Sequence, residues 1–307
     1  MTLNPVLMQD LRLRMRGGQA YLLLSAIILA FGGVCLATFW AITNLLRPSA
    51  PFTIPLTGPA AASATQAPPL DRILIAQRGV VFFLIMALWA ILLAALIVPG
   101  STSGAIARER ETHSLGLLLG TPISTLSIVW GKLFSAASYI LLVIAAGIPL
   151  FSLVVMFGGI SSREVAAVVI VLVVTTFAFA SLGVLVSALA KNGLLASLVS
   201  YTLVLLFTVG SYVVYLASSP LSKAVSTKYV LYFSPLAAVV SALTQSNLQL
   251  NSIVSQVFRE PGTRVAGEWW AIGHYPLWYV TTAGYFVCGI LFLLIASRAI
   301  NPLRRWI

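Results

Sequence analysis

Six consecutive residues, Arg108-Glu109-Arg110-Glu111-Thr112-His113, carry the densest set of ionisable side chains in this 307-residue chain. Charges of alternating sign can grip a charged partner. They can equally form a solvated connector held by local pairs, such as Glu109 with His113 at i,i+4. Other patterns with chemical potential fail on their neighbours. Gly131-Lys132 is followed by Leu133, and Leu126 stands where a phosphate-cradling loop needs glycine. No His-Glu-x-x-His and no Gly-x-Ser-x-Gly occurs, so the common metalloprotease and hydrolase motifs are absent. The two histidines, His113 and His274, are too few for a histidine metal cage and read as interfacial polar groups. Cys35 and Cys288 both lie in apolar runs and read as small buried hydrophobes. The chain therefore shows no catalytic residues, no metal site and no cofactor site of its own.

What must position the charged run is set by composition. Sixty per cent of the residues are hydrophobic and 8% are charged, against roughly 25% charged in an ordinary soluble domain. Eighteen basic and seven acidic side chains cannot cover a soluble fold of this length. A soluble enzyme, a disordered chain and a secreted disulfide scaffold are excluded together, and an all-α integral membrane protein remains. The net charge of +11 falls mainly at the ends of apolar runs, where it biases topology and meets anionic headgroups. Membrane lipid is thus the expected contact, and nucleic acid is not.

A helix needs about 20 apolar residues to cross a bilayer core. Stretches between charged residues give six, at about 20–46, 79–99, 133–157, 165–190, 193–216 and 276–297. A seventh stretch, 229–243, is apolar for only about 15 residues and contains Pro235, then runs into Thr244-Gln245-Ser246-Asn247. That length suits a re-entrant segment on the outer side. Six spans also place both basic termini (Arg12, Arg14 and Arg16; Arg298, Arg304 and Arg305) on the cytoplasmic side of the plasma membrane. The cytoplasmic pieces then hold ten Lys or Arg in about 64 residues, against eight in about 98 outside. Trp269, Trp270, Tyr275, Trp278 and Tyr279 gather where the last span meets the outer interface. The first apolar run is about twice a signal-peptide core and reads as a signal anchor.

Residues 1–19 form a cytoplasmic N-terminus. Asn4-Pro5 can open a helix there, and Leu7, Met8, Leu11 and Met15 recur at helical spacing opposite Arg12 and Arg16. Such a basic amphipathic helix lies flat at the headgroups. The first outer loop is Pro- and Ala-rich and reads as a linker. The outer loop 217–275 is the one large non-membrane region, and 298–307 is a cytoplasmic tail. The cytoplasmic loop 100–132 holds the charged run, then Leu115, Leu117, Leu118 and Leu119, before Gly120-Thr121-Pro122 stops the helix.

This loop carries a family resemblance. The run from Ala107-Arg-Glu-Arg-Glu through Ser114-Leu115 and Gly120-Thr121-Pro122-Ile123-Ser124, followed by Ile128-Val129-Trp130-Gly131-Lys132, resembles the signature of type-2 ABC exporter permeases. Pro149, Gly158-Gly159 and Ser187-Ala-Leu-Ala-Lys-Asn192 follow the same pattern, whereas His113 and Gly116 depart from it. The resemblance implies a transmembrane subunit that acts with a second permease subunit, identical or related, and with separate cytoplasmic ATPase subunits. ATP and Mg would be bound by those partners. Arg108, Glu109, Arg110, Glu111, Thr112, His113, Thr121 and Pro122 would form the coupling helix and its turn. Export is the implied direction.

The acids agree with an external energy source. Asp10, Asp71, Glu109, Glu111, Glu164, Glu260 and Glu268 all fall outside the six apolar cores, while ion-driven carriers keep an ionisable group within the bilayer. An ion-driven carrier or passive channel is one alternative, and a non-transporting anchor or assembly factor is another. Copurification of an ATPase separates both from the permease reading.

Overall fold

The computed structural model describes residues 18–45, 70–112, 126–135, 145, 160–218, 230–244, 271–272 and 275–300. The helices are α1 (Gly18–Leu45), α2 (Leu70–Thr102), the short α3 (Ala107–Glu111) and α4 (Leu126–Ser135). They continue as α5 (Ser162–Leu189), α6 (Gly193–Leu205), a π-helical turn (Leu206–Gly210), α7 (Ser211–Ser218), α8 (Pro235–Thr244) and α9 (Leu277–Ile300). Among the described residues the only strands form an antiparallel ladder of two residues a side, Ala271 opposite Pro276 and Ile272 opposite Tyr275. Among the described residues, the helices long and apolar enough to cross a membrane are α2, α5, α6 with its continuation, and α9.

Helix α5 is the central post. It packs against α9, α2, α6 and α8, and 61% of its most apolar stretch is buried, against 22% for α6 and 28% for α9. Its start is fixed locally by a capping box. Ser161 Oγ accepts from the Glu164 amide at 3.4 Å, and Glu164 Oε2 accepts from the Ser161 amide at 2.6 Å. Two orphan amides are thereby satisfied, so Glu164 can be buried. Close approach along α5 depends on small residues. A Cβ on Gly183 would run into the Thr102 side chain of α2, and a Cβ on Gly289 of α9 would lie 2.7 Å from the Phe177 ring. The neighbouring side chain seats directly on the helix backbone at these places because glycine presents no Cβ.

The buried residues fall into two clusters at opposite ends of the bundle. One joins Val80, Phe83 and Ile91 of α2 to Val168 and Leu172 of α5, Ala238 and Leu243 of α8, and Leu277 of α9. The other joins Val98 of α2, Ile106 and Ala107 of the α3 region, Val129 and Leu133 of α4, Phe179 and Val184 of α5, and Ala296 of α9. Helices α2, α5 and α9 therefore run in one direction, and α6 leaves the α3 end in the other.

Proline 235 starts a helix. A 3₁₀ turn over residues 230–233 leads to Ser234, and Pro235 takes the first position of α8, where a missing amide costs nothing. Ten residues rise about 15 Å, half of a bilayer core. All of α8 except Leu236 is buried. The hydroxyl of Thr244 is buried because it bonds the Val240 carbonyl at 2.9 Å. Cys35 is half-buried, but Cys288 is exposed on α9. The expectation of a buried hydrophobe at Cys288 is corrected: an apolar run in a membrane helix faces outward as readily as inward. The N-terminal segment 1–17, the loop 46–69 and residues 245–270 lie outside the described residues.

Candidate coupling site

The charged run occupies the end of the bundle where α2 finishes. Thr102 and Ser101 turn their hydroxyls onto the Val98 carbonyl, at 2.8 and 2.9 Å. The chain then turns through residues 103–106, and the Ser103 amide bonds Pro99 O at 2.9 Å. Five residues later α3 is complete. So short a helix cannot stand alone, because nucleation costs more than one turn of hydrogen bonds returns. Its stability must come from what it touches.

What it touches is the turn between α5 and α6. Ser187 Oγ, one turn before the end of α5, accepts hydrogen bonds from the amides of Ile106 and Ala107, both at 3.0 Å. Ser187, Ile106 and Ala107 are all buried. A side chain about 80 residues away in sequence thus supplies the N-terminal cap that α3 lacks, since Ile106 at its N-cap forms no side-chain bond. Arg110 returns the favour. Its Nη2 donates to Ala188 O at 2.8 Å and its Nη1 to Ala190 O at 2.6 Å. The planar guanidinium closes the last carbonyls of α5 in fork geometry, where the helix dipole favours a cation. Glu111 Oε1 accepts from the Gly193 amide at 2.8 Å, at the start of α6. Asn192 precedes that helix but makes no capping bond with its side chain, so the carboxylate of Glu111 does the capping. A hydrogen bond of 2.9 Å between Ser103 Oγ and Ser197 Oγ adds a further tie.

Glu109 points elsewhere. Its Oε1 lies 2.5 Å from Lys132 Nζ of α4, with the lysine side chain 8% exposed. His113, the partner that i,i+4 spacing offers to Glu109, lies outside the described residues, as do Thr121 and Pro122. Arg108 and Thr112 are exposed. The Arg108 side chain folds back over Gly104, where an added Cβ would meet its Nε at 2.8 Å. Thr112 Oγ1 bonds Arg108 O at 3.0 Å. So of the five described members of the expected site, Glu109, Arg110 and Glu111 reach other helices, while Arg108 and Thr112 stay near their own turn and face outward with Glu111.

Ser187, Ser103, Ser197, Gly193 and Lys132 were not singled out as site residues from sequence. Ser187 and Lys132 sit within the runs that resemble the permease pattern, which was the available signal. No local spacing could have joined them to residues 103–111.

The family model described as ABC-2 family transporter protein matches residues 5–297. The chain belongs to the ABC-2 transporter family. It is an ABC transporter permease, a multi-pass transmembrane protein. No curated protein matches it significantly. The joint just described is therefore a feature of an ABC-2 permease, at the end of the bundle where α2 meets the α5–α6 turn.

A second feature of this ABC-2 permease lies between α5, the π turn, the 3₁₀ turn and α9. A cavity of about 280 Å³ is lined by Phe179, Phe207, Phe233, Tyr285, Cys288 and Phe292 among others. The Tyr285 hydroxyl donates to Phe233 O at 2.6 Å, and Thr281 Oγ1 donates to Leu277 O at 3.0 Å. These two hydroxyls are turned onto backbone and most of the lining is aliphatic or aromatic, so the walls offer mainly apolar contact.

Proposed function

We propose that this chain is the permease subunit of an ATP-driven exporter, working with a second permease subunit, identical or related, and with separate cytoplasmic ATPase subunits that bind ATP and Mg. Six spans hold both termini in the cytoplasm of a plasma-membrane protein. The observation that carries the reading is the fastening of residues 103–111 to three other helices, in a chain that belongs to a permease family. A short charged helix with an outward face of Arg108, Glu111 and Thr112 suits docking on a soluble partner. Its inward face suits transmission of a push to the bundle. The ATPase must favour one permease conformation over another for such a push to count. The apolar cavity favours a lipophilic or amphiphilic cargo.

The test is purification of the tagged permease from native membranes. An ABC-type ATPase subunit is expected to copurify with it. Arg108→Glu reverses an exposed charge and is expected to weaken that association about tenfold, which corresponds to about 1.4 kcal/mol, with membrane insertion unchanged. Undiminished copurification of the variant would remove Arg108 from the docking face. Absence of any ATPase from the wild-type preparation would favour the carrier or anchor alternatives.

The six-span topology has its own test. With α8 only ten residues long and opened by Pro235, the segment around it enters from outside and returns. Single cysteines at Ser226 and Ser252, in a background without Cys35 and Cys288, are both expected to react with an impermeant thiol reagent from outside. Labelling of one from outside and the other from the cytoplasm would make the segment a span.

A further inference from the structure

We propose that α3 and the turn between α5 and α6 form one mechanical joint, so that a displacement of α3 is delivered to the central helix α5 and not only to α2, its neighbour in sequence. The inference rests on the reading of the chain as an ATP-driven permease and specifies the route of the motion. Four ties join residues 103–111 to residues 187–197: the two amides on Ser187, the Arg110 fork on Ala188 and Ala190, Glu111 on Gly193, and Ser103 on Ser197. Each satisfies a group at a helix terminus or inside the joint, so separating the two parts would expose several backbone groups at once. Arg110 and Glu111 also complement the dipoles of the two helices they cap, which orients the joint as well as holding it. Helix α5 then carries the displacement inward, because it packs on α2, α8 and α9 together. Arg110 is a positioning residue in this scheme: it acts through the end of α5.

The proposal makes two measurable claims about the purified permease–ATPase assembly in liposomes, with ATP hydrolysis as the readout. In a background of Cys35→Ala and Cys288→Ala, the pair Ser103→Cys and Ser197→Cys replaces hydroxyls that lie 2.9 Å apart. Oxidation is expected to close a disulfide, with loss of free thiols, and to leave hydrolysis within twofold of the reduced protein. Arg110→Ala is expected to reduce permease-dependent hydrolysis at least fivefold at unchanged copurification. Arg110→Lys, which keeps the charge but not the fork, is expected to restore part of that loss. Three results would overturn the joint: no disulfide in the membrane, a more than twofold loss on oxidation that reductant reverses, or an Arg110→Ala assembly that hydrolyses ATP like the parent. If the cysteine-free parent carries no ATPase, the permease reading fails instead, and the free-thiol measurement still tests the joint.

Discussion

Glu109→Ala is expected to destabilise the protein by about 3 kcal/mol, the lower end of the range for breaking a buried ion pair. The carboxylate it removes lies 2.5 Å from Lys132 Nζ, and the lysine side chain is 8% exposed, the glutamate 21%. The cost arises mainly from taking a counter-charge away from an ammonium in a low-dielectric place. Glu109 keeps some contact with solvent, which sets the figure at the lower end. The second substitution, Lys132→Met, is expected to recover most of the loss, because a linear apolar side chain fills the same space without a charge. Unfolding of the single and double variants by denaturing detergent gives the coupling energy directly. A double variant no better than the single one would show that Glu109 acts through something other than Lys132.

Ser187→Ala is expected to cost about 2–6 kcal/mol, from two buried amides at about 1–3 kcal/mol each. The substitution changes almost no volume, so packing contributes little. The amides of Ile106 and Ala107 lose their acceptor together, and with it the cap that holds α3 against α5. Because α3 is only five residues long, it is expected to open locally before the bundle does. Tryptic cleavage after Arg108 and Arg110 in the solubilised protein should therefore accelerate by more than an order of magnitude, as about 2 kcal/mol of local opening implies when cleavage follows the open population. Ser187→Thr keeps an oxygen at the same place and should hold cleavage near the parent rate. Unchanged proteolysis in Ser187→Ala would mean that packing of Ile106 and Ala107, and not the cap, secures α3.

The two variants bear on different parts of the same machine. Glu109 fastens α3 to α4, whereas Ser187 fastens it to α5. If force reaches the bundle through α5, Ser187→Ala should disturb the response of the ATPase more than an equally destabilising change at Glu109. That ordering separates transmission from stability.

Much of the fold was legible in the residues themselves. Sixty per cent apolar content and long uncharged stretches dictate membrane helices, because backbone groups in lipid must bond within their own segment. The capping box of Ser161 and Glu164 and the proline that opens α8 are likewise local: each acts on amides within four residues of itself. The charged run at 108–111 was legible as a candidate site, and membership of a permease family was legible in the pattern around it. Its pairing was not. Glu109 pairs with Lys132, 23 positions on, and Arg110 and Glu111 find partners about 80 positions on. Polar groups bond what packing brings near, and packing is not written in spacing along one segment. Burial was equally out of reach. Helices α5 and α6 are both apolar enough to cross a membrane, yet α5 is the central post and α6 lies at the edge. Lipid and protein interior are alike in polarity, so hydropathy places a helix in the membrane without saying which neighbours it has. Small residues such as Gly183 and Gly289, set where a side chain of the neighbouring helix must come close, decide that in three dimensions.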